Sequence, residues 1–315
     1  MLKLVAHRLL ATIPILFGVS VVTFLLMRLV PGDFTLTLLG PFATEERMRE
    51  LREFYGLDQP IYVQYWRWIA SVAVGDFGKS IGYQVPVGQL VADRIVNTLI
   101  LTFAASLFAL VIGFLGGAAA AVRRFSLLDR SITLSALIAA SAPTFWFGLL
   151  MLYLFSLELR IFPAMGMYSL GKDGDLLNLL WHIPLPAIAT SLISLAVILR
   201  LTRSGLLDIM GQDYIRAARA RGLPERRVVY RHAVRSIVPP VVNISGLQVG
   251  FMFGSALFAE VIFQWPGVGL LMYNSILARD VPVIQAVLLV IALVFVTVNL
   301  ISDLTTAALN PQARQ

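Results

Sequence analysis

The residues of this chain that come nearest to a known chemical motif are Gly78, Lys79 and Ser80, which match the end of a phosphate-binding loop. In such loops a glycine-rich turn surrounds the nucleotide phosphates and the lysine contacts them. The complete pattern needs a further glycine at the position of Ala73. A strand leading into a helix, which the motif also requires, is not evident around these residues. We therefore expect no nucleotide site in this chain.

Other kinds of site chemistry lack their residues as well. The sequence has no cysteine, and His7, His182 and His232 are scattered without the spacing of metal ligands. It also lacks a nucleophile elbow, an HExxH motif and a pair of carboxylates within an apolar segment. We expect no catalytic residue, no metal and no cofactor in this chain. A membrane-embedded enzyme would need convergent catalytic groups at one depth.

The composition indicates a membrane protein. Of the 315 residues, 58% are hydrophobic and 14% are charged, and the mean hydropathy is +0.81. A soluble domain would carry about 25% charged residues. Several apolar runs have the length of about 20 residues that a helix needs to cross a bilayer. The sequence therefore predicts an all-α polytopic membrane protein.

Six apolar segments predict transmembrane helices. The first is too long for a signal peptide and lacks a cleavage site. Pro143 falls inside the third and is expected to kink it, whereas Pro184 and Pro186 are expected to precede the fourth. The six segments lie at about 9–30, 97–122, 131–157, 187–201, 241–263 and 283–304.

The chain is predicted to have four parts. They are an N-terminal segment with the first span (1–30), a helical loop subdomain outside the cell (31–96), a core with five spans (97–309) and a tail (310–315). Glu45–Phe54 has an amphipathic, charged helix pattern, and the aromatic residues Tyr65, Trp66 and Trp68 suit the membrane–water interface.

Arginine residues set the predicted orientation. The segment 200–235 has three acids, Asp208, Asp213 and Glu225. It has nine arginines, at 200, 203, 216, 219, 221, 226, 227, 231 and 235. Loops rich in arginine and lysine stay in the cytoplasm. We therefore place this loop and both termini in the cytoplasm. The net charge of +7 then belongs to cytoplasmic loops rather than to a nucleic-acid interface.

The longest polar, basic segment between two apolar runs is Asp213–Pro240, and it predicts two short helices joined at Gly222. A glycine suits a left-handed position after a helix, and Pro224 suits the first residue of the next one. The first helix carries small residues that let another surface approach closely, at Ala217, Ala218 and Ala220. A solvated basic loop that merely fixes the orientation is the alternative.

These residues also resemble a known family. Ala217, Ala218 and Gly222 keep the spacing A-A-x-x-x-G of the EAA loop in membrane subunits of ATP-binding-cassette importers. The segment 213–232 is similar to the dipeptide, oligopeptide and nickel branch. Similar family segments elsewhere are PGD at 31–33, EVIFQWPGVG at 260–269 and RDVP at 279–282. The resemblance covers nearly the whole chain and implies the type I permease fold.

The resemblance implies a permease subunit of an ATP-driven, binding-protein-dependent importer in a bacterial or archaeal inner membrane. It implies a second homologous permease, two cytoplasmic ATPases that hold ATP and magnesium, and an extracytoplasmic binding protein. Di- or oligopeptides are the commonest cargo of the branch, while nickel complexes, glutathione and oligosaccharides stay open. The residues expected to couple to the ATPases are Asp213, Arg216, Ala217, Ala218, Arg221, Gly222, Leu223 and Pro224.

Two departures from the family pattern concern this loop. Arg216 stands where the motif has a glutamate, which puts any role of that carboxylate in doubt. The later I-x-L-P element is displaced, with Pro239 and Pro240 further along the chain. A secondary transporter or channel that works without ATP is the alternative function. It would predict charged residues at mid-membrane and inverted repeats, and neither is evident.

Two further groups of residues are candidates for the pathway. Gly246, Gly250 and Gly254 recur every fourth residue in the fifth span, with Asn243 nearby, and predict tight helix packing or a place along the pathway. Glu260 is the ionisable residue of that span. It either reaches the membrane interface or hydrogen-bonds a loop, or, by the resemblance, it belongs to an external gate or receptor contact with Trp265, Pro266 and Gly267.

Overall fold

The computed structural model describes residues 2–29, 44–54 and 58–309, and its long elements are all helices. The described residues form no strand, and Lys79 and Pro86 make an isolated antiparallel bridge. The predicted segments at 31–33 and 310–315 lie outside the described residues. In chain order the helices are α1 (Leu2–Leu29), α2 (Glu45–Phe54), α3 (Ile61–Ala73), α4 (Val87–Val122), α5 (Leu127–Ser141), α6 (Thr144–Met151), α7 (Leu176–His182), α8 (Pro184–Met210), α9 (Asp213–Ala220), α10 (Glu225–Arg227), α11 (Val234–Ile262), α12 (Val268–Leu277) and α13 (Val281–Leu309).

Four of these helical stretches are long and apolar enough to cross a membrane: α4, α8, the continuous stretch Glu225–Ile262 and α13. The pair α5 and α6, with the turn that follows, makes a fifth if the two halves count as one span. Within α1 the apolar stretch Leu10–Leu25 is shorter. The prediction of an all-α polytopic membrane fold is confirmed, and the number of six spans stays a prediction.

The third predicted span is broken rather than kinked. α5 ends at Ser141, and α6 begins at Thr144 with Pro143 at its N-cap. The axes of the two halves differ by 109°. Proline cannot donate to the preceding turn, and its ring crowds the carbonyl four residues earlier. After α6 the chain continues as a π-helix, Leu152–Glu158.

Two predicted helix starts are wrong by several residues. α4 begins at Val87 rather than Asn97, so it crosses the predicted domain boundary at 96/97. α8 begins at Pro184 and includes Pro186, which we expected to precede the helix. Proline is tolerated in a first turn because the N–H groups there have no intrahelical acceptor.

The predicted start of the fifth span, at about 241, is also too late. Pro239 and Pro240 lie inside α11, not before it, and α10 leads through a π-helical turn, Val228–Ala233, directly into α11. The prediction of a separate second short helix is therefore wrong. Ile237 and Val241 on either side of the prolines are buried. Their packing holds the helix together where the prolines remove two backbone hydrogen bonds.

The core is built on the close approach of α4 and α8. A Cβ atom on Gly117 would lie 2.5 Å from the carbonyl oxygen of Leu199, and one on Gly113 would lie 3.0 Å from that of Leu195. The absence of side chains at these two positions therefore brings the backbones together. α11 completes the core, with Met252 and Ala256 buried in it.

The helix α3, in the predicted external subdomain, packs on α1. The hydroxyl groups of Tyr65 and Ser20 are 2.7 Å apart. The Phe24 ring lies 5.5 Å from the Tyr65 ring and 5.6 Å from that of Trp68. Trp66 is exposed. This segment is thus joined to the first helix by aromatic contacts and one hydrogen bond.

Candidate functional site

The basic loop, residues 211–233, joins α8 to α11 and contains the predicted coupling residues. Its helix α9 packs on the chain's own core through Ile215 and Ala218, which are 0% and 9% exposed. Ala217 and Ala220 are exposed. The small face that we predicted is therefore divided, because Ala218 faces the core and the other two alanines face outward. Asp213, Arg216 and Arg221 are also exposed.

The turn at Gly222 has the conformation that the sequence predicts. Its φ of +76° is in the left-handed region, which costs a glycine little. The Gly222 N–H donates to the Arg219 carbonyl at 2.9 Å. Pro224 is the N-cap rather than the first residue of α10, and Glu225 begins that helix. Leu223 packs against the core and anchors the turn.

Arg216 fills the motif's glutamate position with a contact to α8. Its Nη2 and Nε atoms donate to the Gly211 carbonyl at 3.0 and 3.2 Å. The same guanidinium lies 3.4 Å from the Asp213 carboxylate. The carbonyl groups at a helix C-terminus carry partial negative charge, which a cation stabilises. In this chain the position therefore holds α9 to the end of α8 and is not available as an acid.

A second arginine closes the loop across Gly222. Arg219 donates to the two carboxylate oxygens of Glu225 at 2.7 and 3.1 Å, and to the Met210 carbonyl at 3.3 Å. Because Arg219 donates these hydrogen bonds to the Glu225 carboxylate, the pKa of Arg219 is raised above its ordinary value. An exposed pair of this kind adds little stability, but it fixes the direction of α10. The arginines that stay exposed give the loop a basic outer surface.

At the opposite end of α11, Glu260 is fully buried and caps α12. Its Oε2 atom accepts the backbone N–H groups of Gly269 and Leu270 at 2.7 and 3.0 Å. Its Oε1 atom accepts the Thr98 hydroxyl at 2.6 Å, and Thr98 accepts the N–H of Val268 at 2.9 Å. The first turn of α12 is thus satisfied by a side chain of α11 and one of α4. The carboxyl group hydrogen-bonds a loop, as one of our two interpretations has it.

The rest of the EVIFQWPGVG segment supports this cap, which we call the Glu260 cap (Thr98, Glu260 and 265–270). Trp265 is fully buried and donates its Nε1–H to the Asn97 carbonyl at 2.9 Å. The Asn97 amide donates to the Pro266 carbonyl at 2.8 Å. A Cβ atom on Gly267 would collide with the Glu260 carboxylate. The Glu260 and Trp265 side chains are both buried within the chain, and a role in a gate or receptor contact stays a prediction.

A second buried carboxylate at this end was missed in the sequence. Asp280 accepts the Ser80 hydroxyl and, at 3.0 Å, the backbone N–H of Gly82. Ser80 belongs to the segment that resembles a phosphate-binding loop, and its side chain is buried. The contact joins residues 80–82 to the start of α13. It links positions 200 residues apart, which no local pattern reveals.

The glycine stripe of α11 has two different environments. A Cβ atom on Gly246 would collide with the Ser302 side chain, and one on Gly250 would lie 2.8 Å from the Phe295 ring. At Gly254 the corresponding position has no described neighbour within 4 Å outside its own turn of helix. Asn243 lies at the same helix contact, where its backbone carbonyl accepts a hydrogen bond from the Ser302 hydroxyl at 3.4 Å. Two of the three glycines thus bring α11 and α13 together.

Gly246→Ala is expected to destabilise the chain by about 1–3 kcal/mol, because the new methyl group overpacks the contact with α13. The matched control is Gly254→Ala in the same helix. It is expected to be neutral or stabilising by up to about 1 kcal/mol, since alanine favours the helix. The measurement is thermal unfolding of both variants in detergent. Equal midpoints for the two would contradict the packing seen here.

The described residues form an all-helical membrane fold with a basic loop at one end of α11 and a capped turn at the other, and such a fold can serve more than one kind of function. The comparisons identify the kind. The family described as binding-protein-dependent transport system inner membrane component matches residues 109–315. The N-terminal part of such components matches residues 1–106. The chain belongs to this family, and it is a membrane-spanning permease subunit of a bacterial ABC importer.

The relatives are similar over their whole length. The chain is 39% identical to the glutathione transport system permease protein GsiC of Escherichia coli K12 over 315 residues, which cover 100% of this chain and 99% of the relative. It is 37% identical to the oligopeptide transport system permease protein AppB of Bacillus subtilis 168, over 98% of each chain. Among solved structures, the MetNI methionine ABC transporter in an inward-facing conformation matches with a TM-score of 0.59 and 19% identity. That match covers 70% of this chain and 97% of the other, and it shows a shared fold.

Proposed function

We propose that this chain forms half of the translocation pathway of an ATP-driven importer and couples to cytoplasmic ATPases through residues 213–224. The partners are a second homologous permease, two ATPases that hold ATP and magnesium, and an extracytoplasmic binding protein. Both termini lie in the cytoplasm. The observation that carries this proposal is the basic loop, which has one face buried on the permease and another open to solvent.

The loop has the properties that a docking element needs. Ile215 and Ala218 fix α9 to the core, and the Arg219–Glu225 pair fixes the turn. A force applied at the exposed face of α9 is therefore passed to α8 and α11, because α9 is attached to both. The exposed side of the loop carries small side chains at Ala217 and Ala220, surrounded by arginines. We expect it to seat in a groove with an acidic rim on the ATPase.

The proposed cargo is a di- or oligopeptide. The two relatives described above are named for oligopeptide and glutathione transport, and glutathione is itself a small peptide. Identity over the full length of both relatives supports a peptide for this chain too. Nickel complexes and oligosaccharides are the competing cargoes, which an uptake assay with labelled probes separates.

The expected result of gentle solubilisation of the tagged chain from its own membrane is a complex that contains two ATPase chains and a second permease. Mass spectrometry of the purified complex identifies them. In lipid vesicles the complex is expected to hydrolyse ATP faster when its binding protein is added. A chain that purifies alone would favour the transporter that works without ATP.

The variant that tests the basic loop is Gly222→Pro in the same tagged chain, compared with the unsubstituted chain. Proline cannot adopt a φ of +76°, and it also removes the N–H group that bonds the Arg219 carbonyl. The variant is expected to insert normally, to keep the second permease and to lose the ATPases. If the ATPases remain bound and are stimulated normally, the loop is not their docking element.

A further inference from the structure

An ion pair between two separate helices, α5 and α8, was not predicted from the sequence. Asp129, in the first turns of α5, accepts two hydrogen bonds from Arg203 of α8. The distances are 2.6 Å from Nε to Oδ1 and 2.8 Å from Nη2 to Oδ2. The Asp129 side chain is 4% exposed and that of Arg203 is 26% exposed. The pair joins the N-terminal part of α5, just before the third predicted span, to α8, the helix that leads into α9.

Asp129 is held on its other sides as well. Its Oδ2 atom accepts the backbone N–H of Phe125 at 3.0 Å, and its own N–H donates to the Ser126 hydroxyl at 3.2 Å. Phe125 has a φ of +64°, which is unusual for a residue with a side chain. The carboxylate therefore fixes the turn between α4 and α5 as well as Arg203. Close behind Arg203, Gly117 lets α4 touch α8. Three helices are joined at this point.

A contact of this kind restricts direction more than it adds stability. A buried ion pair often contributes no more stability than apolar side chains of the same volume. A guanidinium that meets a carboxylate through two parallel hydrogen bonds, however, holds both groups at one angle. Apolar surfaces can slide over each other, whereas this fork cannot. Arg203 lies about two turns before the end of α8 at Met210, and α9 begins at Asp213, so the restriction acts on the helix that leads into α9.

We propose that Asp129 and Arg203 are positioning residues which make α5 and α8 move as one unit when the basic loop is displaced. Neither residue touches cargo or nucleotide in this proposal, which rests on the coupling role proposed above. Displacement of α9 by an ATPase moves the end of α8. The Asp129–Arg203 pair then carries α5 with it, and α5 leads to the 109° bend at Pro143. Motion thus reaches two predicted spans from one docking point.

The first test is Arg203→Lys in the purified complex in lipid vesicles. Lysine keeps the positive charge but cannot form the two parallel hydrogen bonds. The stimulation of ATP hydrolysis by the binding protein is expected to fall by about tenfold, while ATPase retention and the unfolding midpoint stay close to those of the unsubstituted chain. Arg200→Met, which removes an exposed arginine one turn earlier in α8, is the control and is expected to leave stimulation unchanged. Normal stimulation in Arg203→Lys would overturn the proposal.

The double variant Asp129→Asn with Arg203→Met separates positioning from charge neutralisation. If the pair only neutralises a buried charge, the double variant recovers normal stimulation, because no unpaired charge remains. If the pair positions the helices, ATP hydrolysis in the double variant is stimulated as poorly as in Arg203→Lys. Recovery in the double variant would therefore reject the proposal.

A third measurement does not depend on the ATPases. The chain has no native cysteine, so spin labels can be attached at Leu134→Cys in α5 and Arg221→Cys in the basic loop. Both positions are exposed. The distance between the labels is expected to have one narrow distribution in the chain with the pair and a broad one in Arg203→Lys. A narrow distance distribution in both chains would contradict the positioning role. The absence of ATPases from the purified complex would contradict only the proposed function, because this distance does not depend on them.

Discussion

The Ala217→Glu variant is expected to lose ATP-driven uptake by at least about tenfold while the permease stays folded. Ala217 is exposed on α9, so the substitution should change the free energy of unfolding by no more than about 0.5 kcal/mol. We propose that this surface enters a groove with an acidic rim. A carboxylate there adds bulk and like charge to the contact. Uptake of a labelled peptide and retention of the ATPases are the two measurements.

Two other alanines show where the effect comes from. Ala278→Glu places the same charge on an exposed alanine between α12 and α13, at the far end of the helices, and is expected to keep the ATPases. Ala218→Glu puts the charge on the buried face of α9 and is expected to lower the unfolding midpoint instead. Loss of ATPase binding in all three variants, or in none, would contradict docking through the exposed face.

The Glu260→Gln variant is expected to destabilise the chain by about 2 kcal/mol and to impair transport. The glutamate accepts hydrogen bonds from Gly269, Leu270 and Thr98. An amide has one oxygen and one NH₂ group, so at least one of these donors loses its acceptor in a buried site. The first turn of α12 should loosen, and with it the loop that we propose forms part of the external gate. The measurements are the midpoint of thermal unfolding and ATP-driven uptake.

Gln264→Ala is the matched control for the Glu260 cap. Gln264 belongs to the same segment but is exposed, and it donates one hydrogen bond to the Val261 carbonyl at 2.8 Å. Its removal is expected to change stability by no more than about 0.5 kcal/mol. If Glu260→Gln is as stable as Gln264→Ala but transports poorly, the carboxyl group acts in the gate directly. If Glu260→Gln is as stable as Gln264→Ala and also transports normally, the Glu260 cap is not needed for stability or transport.

The departure at Arg216 has a structural explanation in this chain. The motif's glutamate would lie beside the last carbonyl groups of α8, where an anion is unfavourable. Arg216 donates to the Gly211 carbonyl instead and lies beside Asp213. In this chain Arg216 therefore attaches the loop to the end of α8. Gly222 is the part of the motif that has the conformation the sequence predicts, whereas Ala217 and Ala218 lie on different sides of α9.

Where local patterns are strong, the sequence predicted the structure well. The glycine at position 222 takes the left-handed turn, and Gly246 and Gly250 lie at a close helix contact. Helix limits were less predictable. The sequence predicts that prolines 184, 186, 239 and 240 precede their helices, but Pro184 is the first residue of α8 and the other three lie within α8 and α11. A proline ends a helix only if packing on both sides does not outweigh the lost hydrogen bonds.

The sequence by itself determined the membrane class, the family and the place of the basic loop, because these depend on apolar length, charge and short motifs. The tertiary structure alone decided which side of α9 is free, since Ala217 and Ala218 are equivalent in the sequence. It also decided the partners of Asp129, Glu260 and Asp280. Each of these carboxylates meets a donor supplied by a distant part of the chain. Burial forces such groups to find partners, but only the packing of the helices selects which ones.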